Sequence, residues 1–122
     1  MTKAEWKRKI KANTKKAGTY RLFFDPVIET LAGIMEARDD AYQKWEEDGK
    51  QTVIEHTNKA GAKNVVKHPA LVVINDMNRD ALAYWRDLGL TPAGLKRINE
   101  EAMEASKEKQ ETFADVLKNI GV

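Results

Sequence analysis

The chain contains no cysteine, which excludes disulfides and cysteine-ligated metals and fits a reducing cytoplasm. Histidine is almost as scarce. His56 and His68 are the only two, and neither lies in an H-E-x-x-H context, so a metal site is not expected. No apolar run approaches the ~18 residues of a membrane span, and the basic N-terminus is not followed by the apolar stretch of a secretory signal. A phosphate-binding loop is missing too. Gly61-Ala62-Lys63-Asn64 lacks both the G-x-x-x-x-G-K spacing and the Ser or Thr that would reach Mg²⁺. The acidic clusters Asp39-Asp40 and Glu46-Glu47-Asp48 read as a charged helix face in preference to a nuclease-like Mg²⁺ site. No cofactor, no catalytic centre and no membrane partner are therefore expected.

What is present is charge, unevenly placed. With 122 residues, 42% hydrophobic and 33% charged, the composition suits one soluble domain with a modest core. The net charge of +2 conceals an asymmetry: residues 1–21 hold eight Lys or Arg against one acid, +7, which leaves −5 for the rest. A basic segment of this kind meets phosphate, whether DNA, RNA or an anionic surface, or else serves only as a solvated helix. Thr2 and Glu5 form a capping box and Ala17-Gly18 a helix end, which predicts a helix over residues 3–17. Trp6, Ile10 and Ala17 mark its narrow apolar stripe, with Trp6 read as packing. Lys7, Arg8, Lys9, Lys11, Lys15 and Lys16 occupy the other faces and are the first candidate DNA contacts. Residues 1–18 are accordingly expected to form a basic helix or arm set apart from a helical core over residues 19–106.

Within that core, Asp25 and Pro26 read as N-cap and first residue of a long helix. Its apolar positions Val27, Ile28, Leu31, Ile34, Met35, Tyr42 and Trp45 recur at helical spacing until Gly49. Between residues 51 and 67 the pattern changes to Thr52-Val53-Ile54 and Val65-Val66 around Asn58-Lys59-Ala60-Gly61, which predicts a small β-hairpin. Pro69 opens a third helix with Leu71, Ile74, Met77, Ala81, Trp85 and Leu88 on one stripe. Gly89 stops it, and Thr91 and Pro92 cap and start a fourth through Leu95, Ile98, Ala102 and Ala105. Beyond the charged Lys107-Glu108-Lys109-Gln110-Glu111 run, Phe113, Val116, Leu117 and Ile120 make the apolar face of a separate docking segment over residues 107–122. The expected fold is mainly α, with long helices in helical hairpins and a β-hairpin between the second and third. The stripes bearing Leu31, Met35, Tyr42, Ile74, Ala81 and Trp85 exceed what one thin helical hairpin covers, so these six are expected to join copies of the chain.

This order of parts resembles the small subunits of tailed-phage terminases. The resemblance is carried by His68-Pro69-Ala70-Leu71, the helix from there to Leu88-Gly89-Leu90-Thr91-Pro92, and the long helix, Gly49 and hairpin that precede them. The tail Thr112-Phe113-Ala114-Asp115-Val116-Leu117 is similar to the family's apolar C-terminal segment. The resemblance implies a non-catalytic subunit in the cytoplasm of an infected or lysogenic bacterial host. Such a subunit assembles into a homo-oligomeric ring, binds double-stranded phage DNA when packaging begins, and recruits or regulates the large terminase subunit, which holds the ATPase and nuclease. The C-terminal face would then either fold back on its own ring or enter a groove on that large subunit.

The chain departs from the family pattern at Leu95, where relatives often carry a basic residue three positions after the proline. Here the cations are Lys96 and Arg97, one helical position later and rotated by about 100°. They are the second set of candidate DNA contacts, or else sit on the outer face of the fourth helix. A rival assignment is a helix-turn-helix transcription regulator with Ala93, Gly94, Lys96 and Arg97 opening its recognition helix. That helix offers few polar readers, because Ala93, Gly94 and Leu95 provide only packing or apolar contact.

Overall fold

The computed structural model describes residues 1–119; Ile120, expected on the C-terminal apolar face, lies outside the described residues. Four α-helices, α1 (Lys3–Ala17), α2 (Asp25–Glu47), α3 (Pro69–Asp87) and α4 (Pro92–Asn119), make up the fold together with a hairpin of β1 (Val53–Thr57) and β2 (Lys63–Lys67). The architecture is the expected mainly α fold with one hairpin between the second and third helices. All three prolines stand at helix starts, where a missing N–H costs no intrahelical bond.

Local chemistry sets most of the boundaries. Thr2 Oγ1 accepts the Glu5 N–H at 3.2 Å to open α1. His68 Nδ1 does the same for the Ala70 N–H at 3.1 Å to open α3, and Thr91 Oγ1 accepts the Gly94 N–H at 3.0 Å to open α4. Asp25 is the exception to the sequence reading. It is the first helical residue of α2 and not its cap, and its carboxylate instead accepts the Tyr20 hydroxyl at 3.0 Å. An unforeseen 3-10 turn over Leu22–Phe24 feeds directly into α2 at that point.

The core lies where α1 and α3 pack against α2. Ile10, Ile28, Leu31, Ala32, Met35, Ala81 and Leu88 are buried there, with Trp6 sealing one side and its ring tilted 58° to that of Trp85 at 6.4 Å. A smaller cluster of Ala41, Ala70 and Ile74 continues the α2–α3 contact toward the hairpin, backed by Trp45 and Leu71. Each fully buried apolar side chain contributes about 1.5–3 kcal/mol, and α1 supplies Ile10 and most of Trp6 to that total. The basic segment is thus an integral layer of the core and not a detached arm. Its inward stripe is Trp6, Ile10 and Thr14, with Ala17 only partly covered.

The abrupt stop and restart between α3 and α4 has two causes. Gly89 adopts φ 73° and its N–H bonds the Arg86 carbonyl at 2.9 Å while the Leu90 N–H reaches the Trp85 carbonyl at 2.8 Å, closing α3 with a Schellman cap. Gly94 then lets the first turn of α4 lie against the end of α3, because a Cβ there would overlap the Arg86 carbonyl oxygen. Thr19 clasps this corner to the end of α1 by donating to the Leu88 carbonyl at 2.7 Å.

Beyond this corner α4 departs from expectation. It runs unbroken through the charged stretch to Asn119, and every described residue after Ile98 is exposed. The anticipated break at residues 107–111 is absent, since neither glycine nor proline interrupts residues 95–119 and Glu, Lys and Gln are good helix formers. The distal part of α4 therefore stands out from the core as a bare helix.

The hairpin pairs Val53 with Lys67 through Thr57 with Lys63 in antiparallel register, around a tip organised by Asn58, whose side-chain oxygen accepts from the Ala60 and Ala62 N–H groups. It is anchored by the His68 N–H, which bonds the Thr52 carbonyl at 2.9 Å, and by Trp45, whose indole N–H reaches the Gln51 carbonyl at 2.9 Å. Only Ile54 and Val66 are half-buried, and the remaining strand residues face outward.

Candidate nucleic-acid interface

Docking α1 by its Trp6, Ile10 and Thr14 stripe turns the opposite arc of the helix outward, and that arc is where the cations are. Arg8, Lys9, Lys15 and Lys16 are exposed, while Lys7 and Lys11 lie half-buried at the margins. Two aromatic rings hold part of this array in place. Lys9 Nζ sits 5.2 Å from the centre of the Trp6 ring, and Lys11 and Lys15 each sit 5.2 Å from the centre of the Tyr20 ring. Hydrogen bonding with Tyr20, and then the nearby Asp25 charge 3.8 Å away, raise the Lys11 pKa, so this ammonium stays charged. Lys7, Arg8 and Lys16 make no ion pair with the described residues.

Asp39 fixes the other end of α1. Its Oδ2 accepts the Trp6 indole N–H at 2.7 Å and the Met1 amino group at 3.1 Å, and Oδ1 accepts from Arg38 at 3.0 Å. Partial burial pushes the carboxyl up, but the hydrogen bonds from Trp6, Arg38 and the amino terminus together outweigh it and hold the pKa below the ordinary carboxylate value. One member of the Asp39-Asp40 pair is therefore a strut for the basic helix, while Asp40 faces solvent.

Lys96 and Arg97 are exposed on the first turns of α4 and lean toward Glu100 at 3.9 Å and Glu101 at 3.4 Å. Surface pairs of this kind contribute little and exchange readily with a phosphate. The α3–α4 corner is clasped to the end of α1 through Thr19, which puts Lys15 and Lys16 at the same end of the molecule as the start of α4. Leu95, at the position where a family cation was expected, is half-buried.

The six residues expected to join copies divide differently. Leu31, Met35, Ile74 and Ala81 are buried inside the chain itself, because α1 and α3 cover the α2 stripe that the sequence reading left uncovered. They are unavailable to a neighbour, and that assignment is corrected. Trp85 is half-buried against Trp6. Tyr42 alone stays exposed, edge-on to Trp45 with ring centres 5.5 Å apart. Among the described residues the large apolar side chains left outside also include Leu22, Phe23, Val72, Val73 and Leu82, Val53 and Val65 of the hairpin, and, on α4, Met103, Phe113, Val116 and Leu117. Of these, Phe113, Val116 and Leu117 are the ones the sequence marks as an interaction face. Leu22-Phe23 carried a signal that was passed over, namely two large apolar residues in a joint with no helical stripe to absorb them.

Within the described residues no three His, Asp or Glu side chains group as a metal site, and no helix is long and apolar enough to cross a membrane. His68 is engaged in structure. Its Nε2 lies 3.0 Å from Asp48 Oδ2 while its Nδ1 caps α3, tying the end of α2 to the start of α3.

Comparison with known proteins finds that a family model described as phage terminase, small subunit, matches residues 2–105 of the chain. The match takes in the basic helix, the hairpin and the α3–α4 corner, and ends before the distal part of α4. No curated protein and no solved structure matches the chain.

Proposed function

We propose, from the premise that the chain belongs to the phage terminase small-subunit family and so has a part in packaging phage DNA, that it is the DNA-binding, non-catalytic component of the packaging machine. The observation that carries this reading is the build of α1. One face is committed to the core, and the other presents Arg8, Lys9, Lys15 and Lys16 to solvent on a rigid element. A rigid cationic helix neutralises duplex phosphates at little ordering cost, and the counterions it displaces drive binding. Lys96 and Arg97 extend the same electrostatic footprint from α4.

In this reading the protein acts as a homo-oligomeric ring in the host cytoplasm, and the large terminase subunit supplies ATP hydrolysis and DNA cleavage. The distal part of α4 supports a role in recruiting that subunit. It has left the core, and Phe113, Val116 and Leu117 remain on it as an apolar face without a partner among the described residues. A transcription regulator is less well supported. Gly94 of the would-be recognition helix is buried against Arg86, and Leu95 is half-buried, which removes two first-turn positions from any base readout.

The test is a salt titration of duplex binding by the full chain and by a variant carrying Ala at Arg8, Lys9, Lys15 and Lys16. Each lost phosphate contact flattens the log-log salt slope by about 0.9, so the expected change is up to roughly 3–4. Unchanged affinity and slope would move the interface to Lys96 and Arg97 or to Lys59, Lys63 and Lys67 of the hairpin. Deleting residues 1–18 is a poor substitute, because it strips Ile10 and Trp6 from the core.

A further inference from the structure

Two surface features lie at opposite ends of α2. At its N-terminal end the 3-10 turn projects Leu22 and Phe23, which are 76% and 74% exposed and so almost wholly outside the fold. At its C-terminal end, Ala37 and Ala41 of α2, Ile54 of β1 and Pro69, Ala70 and Val73 of α3 wall a mainly apolar cleft of about 570 Å³. That volume is in the range of pockets that enclose compact apolar groups, roughly 300–1,000 Å³. From Phe23 to Ala41 and Lys44 the chain climbs α2 by about 30 Å at 1.5 Å per residue, so no copy can seat its own knob in its own cleft.

Knob and cleft also differ in their nearest charges. Arg21 adjoins the knob, and Lys15 and Lys16 close the neighbouring helix. The cleft is lined by Asp40 and Asp48, with Lys44 between them, and Glu46 and Glu47 follow at the end of α2. Asp40, Glu46 and Glu47 make no ion pair with the described residues, whereas the acids near the knob, Asp25 and Glu29, are paired with Lys11 and Lys3. An apolar knob beside Arg21, Lys15 and Lys16, and an apolar cleft whose lining sets Asp40 and Asp48 against Lys44, are on one chain the two halves of a heterologous contact.

We infer that Leu22 and Phe23 of one copy insert into the Ala41, Ile54 and Val73 cleft of the next, so that the ring is built head to tail by this contact. The inference rests on the ring reading above and specifies its interface. Knob and cleft are distinct surfaces, so each copy offers one free half at either end until the ring closes, and Asp40 and Asp48 of the cleft meet the cations beside the incoming knob. The buried aromatic is the anchor, as in other interfaces where one desolvated side chain dominates.

The experiment uses the full chain and its native mass. A knob variant, Leu22→Asp with Phe23→Asp, and a cleft variant, Val73→Asp, each alter exposed positions and are first checked for a wild-type helical spectrum and melt. Each alone is expected at the mass of a single chain, and their equimolar mixture at twice that mass, since one intact knob meets one intact cleft. A second measurement is independent of any unfolding. The chain has no native cysteine, so Phe23→Cys and Val73→Cys can bond only to each other or to themselves. Oxidation of the double variant is expected to give a ladder of covalent multimers, and mixed single variants a 23–73 heterodimer. A knob variant that retains wild-type oligomeric mass, together with no 23–73 crosslink, overturns the interface while leaving the ring reading standing. A wild-type chain that stays single, or stops at a dimer, overturns both.

Discussion

Asp39 and Gly94 show how single residues settle geometry on which the surfaces depend. The Asp39 carboxyl has its pKa held below the unfolded value, so the ionised form favours the folded state. Its contribution is complete above about pH 4 and is lost as the pH falls through the depressed folded value. Asp39→Ala leaves the Trp6 indole N–H without its acceptor, and the expected cost at neutral pH is roughly 1–3 kcal/mol. In thermal melts the gap between this variant and wild type should narrow as the buffer is taken from pH 7 toward pH 3, and a gap that widens in acid contradicts the assignment. Gly94→Ala drives a Cβ into backbone and should cost about 1–3 kcal/mol or more, as overpacking does. Gly33→Ala is the control. A Cβ there meets only Lys3 Cε at 3.7 Å, and the gain in helix propensity should raise stability by about 0.5–1 kcal/mol. The residue chemistry at Gly89 and Thr91 was legible in the sequence because caps are local. Asp39 was not, since its partner Trp6 lies thirty-three positions away.

At the scale of elements, helical spacing identified α1, α2 and α3 nearly to their ends, and β-branched runs around Asn58-Lys59-Ala60-Gly61 located the hairpin. Two readings failed for physical reasons. The charge run at residues 107–111 looked like a boundary, yet charge alone does not end a helix when no Gly or Pro accompanies it. The apolar stripes of α2 and α3 looked too broad for one chain because α1 was treated as an outlying arm, whereas Trp6 and Ile10 cover part of that surface. The continuous α4 carries its own prediction. A helix standing in water without tertiary support is marginal, so amides over residues 103–119 should exchange much faster than those of α2 in the isolated chain. Phe113→Ala with Leu117→Ala should leave the melting temperature and DNA affinity near wild type, because both side chains are already exposed. Binding to the large terminase subunit should be lost, since these two residues are most of the described apolar face. An early melt in this variant would instead assign the segment to the protein's own fold.

For the whole molecule, the decisive property is polarity. One end gathers the last turn of α1 with Lys15 and Lys16, the Leu22-Phe23 knob and the start of α4; the other gathers the hairpin, the apolar cleft and the end of α2. Such polarity suits a chain that repeats in one direction around an axis. The sequence revealed the +7 of residues 1–21, but not that Lys15, Lys16 and the knob would share one end of the fold with the start of α4. That arrangement depends on α1 running back along α2, with Met1 bonded to Asp39 and Lys11 paired with Asp25. Assembly is the property on which DNA engagement by this chain depends, and native mass spectrometry of the unmodified 13.8 kDa chain tests it most directly. The result expected is one closed species of more than two copies, whose copy number stays fixed as the protein concentration rises through the micromolar range. A chain that remains a monomer across that range would contradict it.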